Sequence, residues 1–297
     1  SNDYLGLANH PVVAAAAQQA IVTAGVGAGA AHLVSGHHQH HEDLGHAAAV
    51  FVGYANALLF STGYMANLGV VTALLGRGDA IFADKLNHAS LNDAMQLSRA
   101  QVHRYPHQDV NRLEALLAAS PAPKKLIAVD AVFSMDGDIA HLPELLSLAE
   151  RYDALLYVDD AHGFGVLGAQ GRGSLSHFNL QSDRIIYMAT LGKAAGVAGA
   201  FVAAHPMVLA WLQQKARTAI YTTAMPPLLA AASQAALGLI ANSDEPRAHL
   251  QRLIAHLQAG CADLPWALLP SQTPIQPLLI GSAADAMRIS QALWQQG

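Results

Sequence analysis

Short apolar segments alternate with helical ones along the chain, and this alternation most constrains the fold. The sequence predicts strands at 57–60, 80–83, 102–105, 126–129, 155–158, 185–188 and 199–203, and helices at 64–75, 109–118 and 142–152. Such a pattern is typical of a mainly parallel sheet covered by helices on both faces. We therefore predict an α/β fold.

Polar residues follow several of the predicted strands, at the point where each strand ends. Parallel strands bring their carboxyl ends to one edge of a sheet, where ligands bind in folds of this class. The sequence therefore predicts a site at this edge, formed by 61–63, Asp84, Ser134, Asp159 and Thr190.

Composition excludes several classes of protein. Hydrophobic residues make up 53% and charged residues 12% of the 297 residues, which excludes a disordered chain and leaves room for a large interface between identical subunits. A net charge of −5 argues against nucleic acid as a partner. The sequence contains no uninterrupted apolar run long enough to span a membrane, so we expect no membrane partner.

A polar turn at 242–246 predicts a domain boundary. We expect a large unit over 1–242 and an incomplete, smaller α+β unit over 243–297. The single cysteine, Cys261, excludes an intrachain disulfide and fits a cytoplasmic location. Its apolar surroundings favour a buried small side chain over a nucleophile.

The segment YVDDAHGFGVLGAQGRG (157–173) places Asp159 at the end of a buried strand and His162 three residues later. A carboxylate in this position can hold a cationic ring nitrogen protonated, as pyridoxal phosphate requires. Taken alone, such a pair is more often a helix-capping aspartate and a surface histidine.

The segment TLGKAAGVAGA (190–200) contains a lysine, Lys193, in an otherwise uncharged stretch. A partly desolvated lysine is the usual residue that forms a Schiff base. The alternative for the isolated segment is a solvated loop lysine.

Two further segments lie at predicted strand–helix junctions. FSTGYMAN (60–67) offers helix N-terminal N–H groups to an anion, although a Ser/Thr helix cap is the more usual explanation of such a segment on its own. DKLNHAS (84–90) places His88 on a loop after a strand, where its ring could stack on a flat ligand or lie on the surface.

Together and in this order, these segments resemble the α-oxoamine synthases, pyridoxal-phosphate enzymes of the aspartate-aminotransferase fold (fold type I). The resemblance covers the whole chain. It is carried by SNDYLGL (1–7), LVSG (33–36), LLFSTGYMANLGVV (58–71), LNHASL (86–91), VFSMDGD (132–138), VDDAHGFGVLGAQGRG (158–173) and YTTAMPP (221–227). It implies pyridoxal 5′-phosphate as the cofactor and no metal.

The resemblance also implies a role for individual residues. Four are expected to be catalytic: Lys193 as the covalent anchor of the cofactor, Asp159 on its ring nitrogen, His162 on its ring hydroxyl and His88 on its ring face. The remaining cofactor contacts are expected at Gly63, Tyr64, Ser134, Thr190, Thr222 and Thr223. The last two resemble residues that reach the phosphate in the other subunit, which implies a homodimer with shared active sites.

Within this family the blocks look most like the biotin-pathway member. That resemblance implies condensation of L-alanine with a pimeloyl thioester, carried on coenzyme A or acyl carrier protein. The alternatives are relatives of the glycine C-acetyltransferase, 5-aminolevulinate synthase or serine palmitoyltransferase type, or a non-catalytic subunit. Family members also extend beyond both ends of this sequence, with an arginine expected in each extension.

Three positions depart from the family pattern. His32 stands where arginine is frequent, Gly45 where glutamate is usual, and Asp130 where glutamate is usual. We expect these positions to affect packing and support rather than the covalent chemistry. The tract HHQHHED (37–43) could supply zinc ligands, but it offers no evident distant ligand, so we interpret it as a solvated turn.

Overall fold

The computed structural model describes residues 1–296. Its strands are β1 (Ala57–Phe60), β2 (Ala80–Asp84), β3 (Gln101–Tyr105), β4 (Lys125–Asp130), β5 (Ala154–Asp159), β6 (Ile185–Thr190), β7 (Ala200–Ala203), β8 (Ala267–Leu268) and β9 (Leu278–Leu279). Its helices are α1 (Pro11–Ala24), α2 (Gln39–Val52), α3 (Gly63–Leu74), α4 (Ala89–Ser98), α5 (Val110–Ala119), α6 (Leu142–Arg151), α7 (Ser174–His177), α8 (Pro206–Lys215), α9 (Arg217–Ile220), α10 (Pro227–Ala241), α11 (Asp244–Gly260) and α12 (Ala283–Trp294).

Seven strands form one mixed sheet in the order β1-β7-β6-β5-β4-β2-β3. β7 pairs antiparallel with both β1 and β6, whereas β2 to β6 pair in parallel. The sheet is therefore mainly parallel, as the sequence predicts, and each strand predicted over 57–203 is present within one or two residues of its expected bounds.

Alternate residues of each strand face two different helical layers. On β2, Phe82 packs into the core that α1, α2, α5, α6 and α10 share, while Ile81 packs into the core shared with α3, α4, α8 and α9. Both side chains are fully buried. Strands buried on both faces read as continuous apolar runs, which explains why β4 and β5 carry almost no polar residue before their last position.

The helix that begins after β1 is capped by the residue before it. The Thr62 hydroxyl accepts a hydrogen bond from the Met65 N–H at 3.1 Å, which ends the extended segment and begins α3 at Gly63. The cap places the start of α3 at the same sheet edge as the ends of β5 and β6.

After α10 the chain forms α11, the two-stranded sheet β8–β9 and α12. The polar turn at 242–243 separates α10 from α11, at the position predicted for the domain boundary, and the boundary itself stays a prediction. No helix within residues 1–296 combines the length and the apolar character needed to cross a membrane.

Candidate active site

A cleft opens at the carboxyl ends of β4, β5 and β6, beside the start of α3. It encloses about 580 Å³, part of it open to solvent. Its lining consists of Gly63, Tyr64, Asn67, His88, Ser90, Asp130, Val132, Asp159, Ala161, His162, Met188, Thr190 and Lys193. Seven of the ten site residues expected from the sequence are in this set: Gly63, Tyr64, His88, Asp159, His162, Thr190 and Lys193.

Lys193 lies on the loop that joins β6 to β7, and its amine points at a histidine. Lys193 Nζ is 2.7 Å from His162 Nε2. Burial lowers the pKa of Lys193, while the carboxyl groups of Asp159 and Asp130 oppose that shift. A lysine with a lowered pKa has a larger neutral fraction at pH 7, and the neutral amine is the form that attacks a carbonyl.

His162 is held from both sides of its ring. Its Nδ1 lies 2.7 Å from the Tyr4 hydroxyl, a residue 158 positions earlier, and its Nε2 faces Lys193. Burial first, and then the neighbouring charges of Lys193 and His88, lower the pKa of His162 to about 3. The imidazole is therefore neutral at physiological pH and can exchange hydrogen bonds with a ligand.

Asp159 ends β5 and is buried under a network of donors. Its Oδ2 accepts from the Asn67 side-chain amide at 2.7 Å and its Oδ1 from the Ala161 N–H at 3.1 Å. Asn67 is oriented in turn by the Tyr157 hydroxyl at 2.7 Å. Burial raises the pKa of Asp159, while the hydrogen bond from Asn67 and the charge of Lys193 lower it. The carboxyl group is thus fixed in position for a cationic partner.

Asp130 is the register partner of Asp159 on the neighbouring strand β4. Its Oδ2 accepts from the His88 N–H at 2.9 Å, and its Oδ1 is buried without a hydrogen-bond partner among residues 1–296. Burial and the charge of Asp159 raise the pKa of Asp130 well above its usual range. From its sequence context Asp130 is expected to affect packing and support, and the structure places it in the cleft wall.

The start of α3 contributes an anion site to the cleft. The N–H groups of Gly63 and Tyr64 are in the first turn of the helix, where no intrahelical acceptor is available to them. The helix dipole favours a negative group there. Thr190, which lies beside Gly63, donates its hydroxyl to the Gly199 carbonyl at 3.0 Å.

His88 is the cap of α4, and its Nδ1 lies 2.7 Å from the Ser90 hydroxyl. Ser90 in turn accepts from the Asn67 amide at 2.8 Å. His88 is therefore linked through Ser90 and Asn67 to the same network that holds Asp159. The sequence did not predict three residues of this network as site residues: Asn67, Ser90 and Tyr4. The only sequence signal for them is that they lie inside the motif segments that carry the family resemblance.

Three of the ten expected site residues do not line the cleft, and neither does Asp84, which was expected at the same sheet edge and instead contacts His107. Ser134 lies in the turn that follows β4, and Thr222 and Thr223 lie in the segment between α9 and α10. For the two threonines this is compatible with the predicted role in a second subunit's site, and all three assignments stay predictions.

Comparison with known proteins shows the family to which the chain belongs. A family model described as aminotransferase class I and II matches residues 1–297. Proteins named 8-amino-7-oxononanoate synthase are similar over the whole chain: that of Nitrosospira multiformis is 63% identical over 75% of its own length, and that of Methylobacillus flagellatus 60% identical, also over 75%. The chain belongs to the 8-amino-7-oxononanoate synthase family.

Solved structures agree with this membership. The 8-amino-7-oxononanoate synthase of Francisella tularensis superposes on the whole chain with a TM-score of 0.88, 32% identity and 84% of its own length covered. A serine palmitoyltransferase from S. paucimobilis with a bound PLP–myriocin aldimine superposes with a TM-score of 0.96, 30% identity and 78% of its length covered. The predicted fold class, enzyme class and cofactor, pyridoxal phosphate, are confirmed.

The residues of the cleft fit this cofactor. The cofactor needs an amine for its aldehyde, an anion for its ring nitrogen and donors for its phosphate. One cavity brings these three groups together. Lys193 offers the amine, Asp159 the anion, and the start of α3 the donors. The orphaned Oδ1 of Asp130 leaves one further acceptor free in the same wall.

Proposed function

We propose that this member of the 8-amino-7-oxononanoate synthase family condenses L-alanine with a pimeloyl thioester, releasing CO₂ and the thiol carrier. The observation that carries the proposal is the partly buried amine of Lys193, 2.7 Å from His162 Nε2 and in one cleft with Asp159. Identities of 63% and 60% to relatives of that name support this substrate pair over those of the other α-oxoamine synthases.

Bound pyridoxal phosphate supplies an electron sink for the carbanion that forms at the amino-acid Cα. Asp159 would hold the proton on the ring nitrogen that this sink requires. His162 would orient the ring at its hydroxyl, and His88 at its face. The N–H groups of Gly63 and Tyr64 would bind the phosphate.

Lys193 has two roles in this proposal. Its neutral amine would hold the aldehyde of the cofactor, and the same amine would take the proton from alanine Cα. The overall reaction joins alanine Cα to the carbonyl carbon of the thioester and breaks the carbon–sulfur bond, which releases the thiol. The alanine carboxyl group leaves as CO₂, and Lys193 would return a proton to Cα to complete the product.

A homodimer with shared sites is part of the proposal. Thr222 and Thr223, which do not line the cleft of their own chain, would reach the phosphate bound to the partner subunit. Tyr221 beside them is exposed on an apolar segment, and only 12% of the residues are charged. A cytoplasmic location is proposed on the single cysteine, since disulfides are scarce in reducing compartments.

The decisive experiment offers the purified holoenzyme a matrix of substrates. L-alanine, glycine and L-serine are each combined with pimeloyl, acetyl, succinyl and palmitoyl thioesters, and products are identified by mass spectrometry. We expect 8-amino-7-oxononanoate from alanine and the pimeloyl thioester at the highest kcat/KM. A higher kcat/KM for another pair would reassign the chain to another branch of the family, and no product from any pair would support a non-catalytic subunit.

The cofactor site has its own test. Borohydride reduction of the holoenzyme, followed by peptide mapping, should place the pyridoxyl group on Lys193. A label on another lysine would overturn the site while leaving the family unchanged. Parallel tests with pimeloyl-coenzyme A and pimeloyl-acyl carrier protein decide which carrier the enzyme prefers.

A further inference from the structure

Three histidines meet beside β1, in the wall of a cavity that shares no lining residue with the active-site cleft. His32 comes from the loop before α2, His37 from its last residues and His41 from the first turn of α2. One ring nitrogen of each lies within 4.8 Å of those of the other two. The ring centroids are 4.8 Å apart for His32 and His41, 4.9 Å for His32 and His37, and 5.5 Å for His37 and His41.

We propose that His32, His37 and His41 bind one divalent transition-metal ion of the Zn²⁺ class. Three imidazoles with room for a water as fourth ligand are a common donor set for this ion, and the absence of sulfur ligands also admits Ni²⁺ and Co²⁺. The tract 37–43 alone predicts no metal site, because it lacks a distant third ligand. The fold supplies that ligand as His32.

Hydrogen bonds select the nitrogen that two of the rings present. His41 Nε2 lies 2.8 Å from the Met225 carbonyl, which can only accept, so Nε2 carries the hydrogen and Nδ1 carries the lone pair. His37 Nε2 lies 2.8 Å from a Glu42 carboxylate oxygen, with the same consequence. Metal-binding histidines almost always donate their other N–H to a carbonyl or carboxylate in this way.

The third ring completes the convergence. His32 Nδ1 lies 2.7 Å from His37 Nδ1, so the two nitrogens share a hydrogen bond when no ion is bound. Two ligands of a tetrahedral zinc ion at 2.0–2.1 Å are roughly 3.3 Å apart, so the rings must separate by about 0.6 Å. His37 is exposed, which allows its ring to make that movement.

His41 must also give up one interaction. Its Nδ1 accepts from the His38 N–H at 2.9 Å, at the cap of α2, and a metal would compete for the same lone pair. The other ring nitrogen of His41 keeps its hydrogen bond to the Met225 carbonyl during this exchange.

An ion has a path to these rings. The three histidines and Glu42 lie in the wall of a second cavity, of about 1720 Å³ and partly open to solvent, which also borders β1 and α9. The bound ion would tie the loop that carries His32 to α2. His41 and Ala30 already contact the segment before α10, through the Met225 carbonyl and the Ala224 N–H, so the ion would also stiffen the segment that carries Thr222 and Thr223.

The test is metal binding by the metal-stripped holoenzyme, measured by calorimetric titration with Zn²⁺ and by the visible d–d bands of Co²⁺. We expect one saturable ion per chain and a tetrahedral Co²⁺ spectrum. Loss of a residue that only orients a metal ligand weakens binding by roughly 10-fold to 100-fold. Glu42→Gln should therefore weaken Zn²⁺ binding by about 10-fold. His37→Gln removes a ligand itself and should weaken Zn²⁺ binding by more than roughly 100-fold.

The tract contains matched controls. His40→Gln and His46→Gln remove histidines of the same helix that are outside the cluster, and each should leave Zn²⁺ affinity unchanged. His32→Arg, which inserts the residue frequent in the family, should abolish the site while the sequence of α2 stays unchanged. Equal losses in His40→Gln and His37→Gln would show binding to a histidine-rich surface, and the absence of saturable binding by a folded dimer would overturn the proposal outright.

Discussion

Two regions of the molecule differ in how far they bury their ionisable and apolar side chains. One is the sheet edge at the ends of β4, β5 and β6, and the other is the C-terminal part, residues 262–296. At the strand ends, Asp130, Asp159 and Lys193 have pKa values shifted chiefly by burial. In the C-terminal part, Asp285 has a lowered pKa, chiefly through its hydrogen bond from the exposed Arg288. α12 buries none of its residues, whereas β4 and β5 are buried nearly throughout. Burial therefore shifts the pKa values of ionisable side chains at the sheet edge, where the surrounding structure excludes water, and not in the exposed C-terminal part.

The largest expected effect concerns Lys193. Lys193→Ala should lower synthase activity by roughly four orders of magnitude or more, because the covalent anchor and the base are lost together. The control is Lys215→Ala, whose amine lies 5.5 Å from the Trp211 ring centroid on α8. Steady-state kinetics on both folded variants measure the difference in synthase activity. A tenth of normal activity in Lys193→Ala would contradict the role proposed for Lys193.

A smaller but still large loss is expected at the carboxylate. Asp159→Asn should reduce kcat/KM by roughly three orders of magnitude, because a neutral amide does not hold the ring nitrogen protonated. Its new NH₂ group also meets the Asn67 or Ala161 donor, which costs about 1–3 kcal/mol of stability. Kinetics and urea unfolding measure the two effects separately. Asp285→Asn is the surface control, and equal losses in both would contradict the role of burial.

The packing contrast gives the third prediction. Leu156 on β5 is fully buried, and Leu293 on α12 is 66% exposed. Leu156→Ala should lower the free energy of unfolding by about 2–5 kcal/mol through a cavity, and Leu293→Ala should change it by less than about 0.5 kcal/mol. Urea denaturation of both variants is the measurement. A large effect at Leu293 would show that α12 contributes to the core in solution.

The smallest predicted effect depends on pH. Burial raises the pKa of Asp160 to about 7, so the folded chain keeps a proton that the unfolded chain releases near pH 4. The stabilisation from this group is complete below about pH 4 and is lost as pH rises towards 7. Between pH 5 and 7 we expect a decline of about 1–2 kcal/mol, absent in Asp160→Asn. If the variant keeps the same slope in urea unfolding, another group is responsible.

The fold was predictable from the sequence because burial on both faces leaves a direct signature. β4 and β5 read as apolar runs that stop at an aspartate, and that pattern alone predicts a parallel sheet with carboxylates at its edge. Lys193, Asp159 and His162 were predictable since each belongs to a motif in which position along a strand or loop determines location. The antiparallel insertion of β7 between β1 and β6 has no such signature.

The remainder of the site depends on contacts across long sequence separations. Tyr4 meets His162 over 158 residues, and Asn67 meets Asp159 over 92. Asp130 reaches the cleft wall only because its strand is in register with β5. Neither periodicity nor spacing records which strands are neighbours or how they are aligned. His32 likewise lies outside the tract 37–43, so the sequence did not identify it as the residue that supplies a third imidazole.

The pairing of Asp130 with Asp159 has a consequence for how the cleft accepts its cofactor. Two acids side by side in a dry wall do not both ionise readily, and burial together with the charge of Asp159 raises the pKa of Asp130. A cationic ring nitrogen held at Asp159 would therefore favour release of a proton from Asp130. Calorimetric titration of the protein with the cofactor, in buffers of different ionisation enthalpy, would measure the number of protons released.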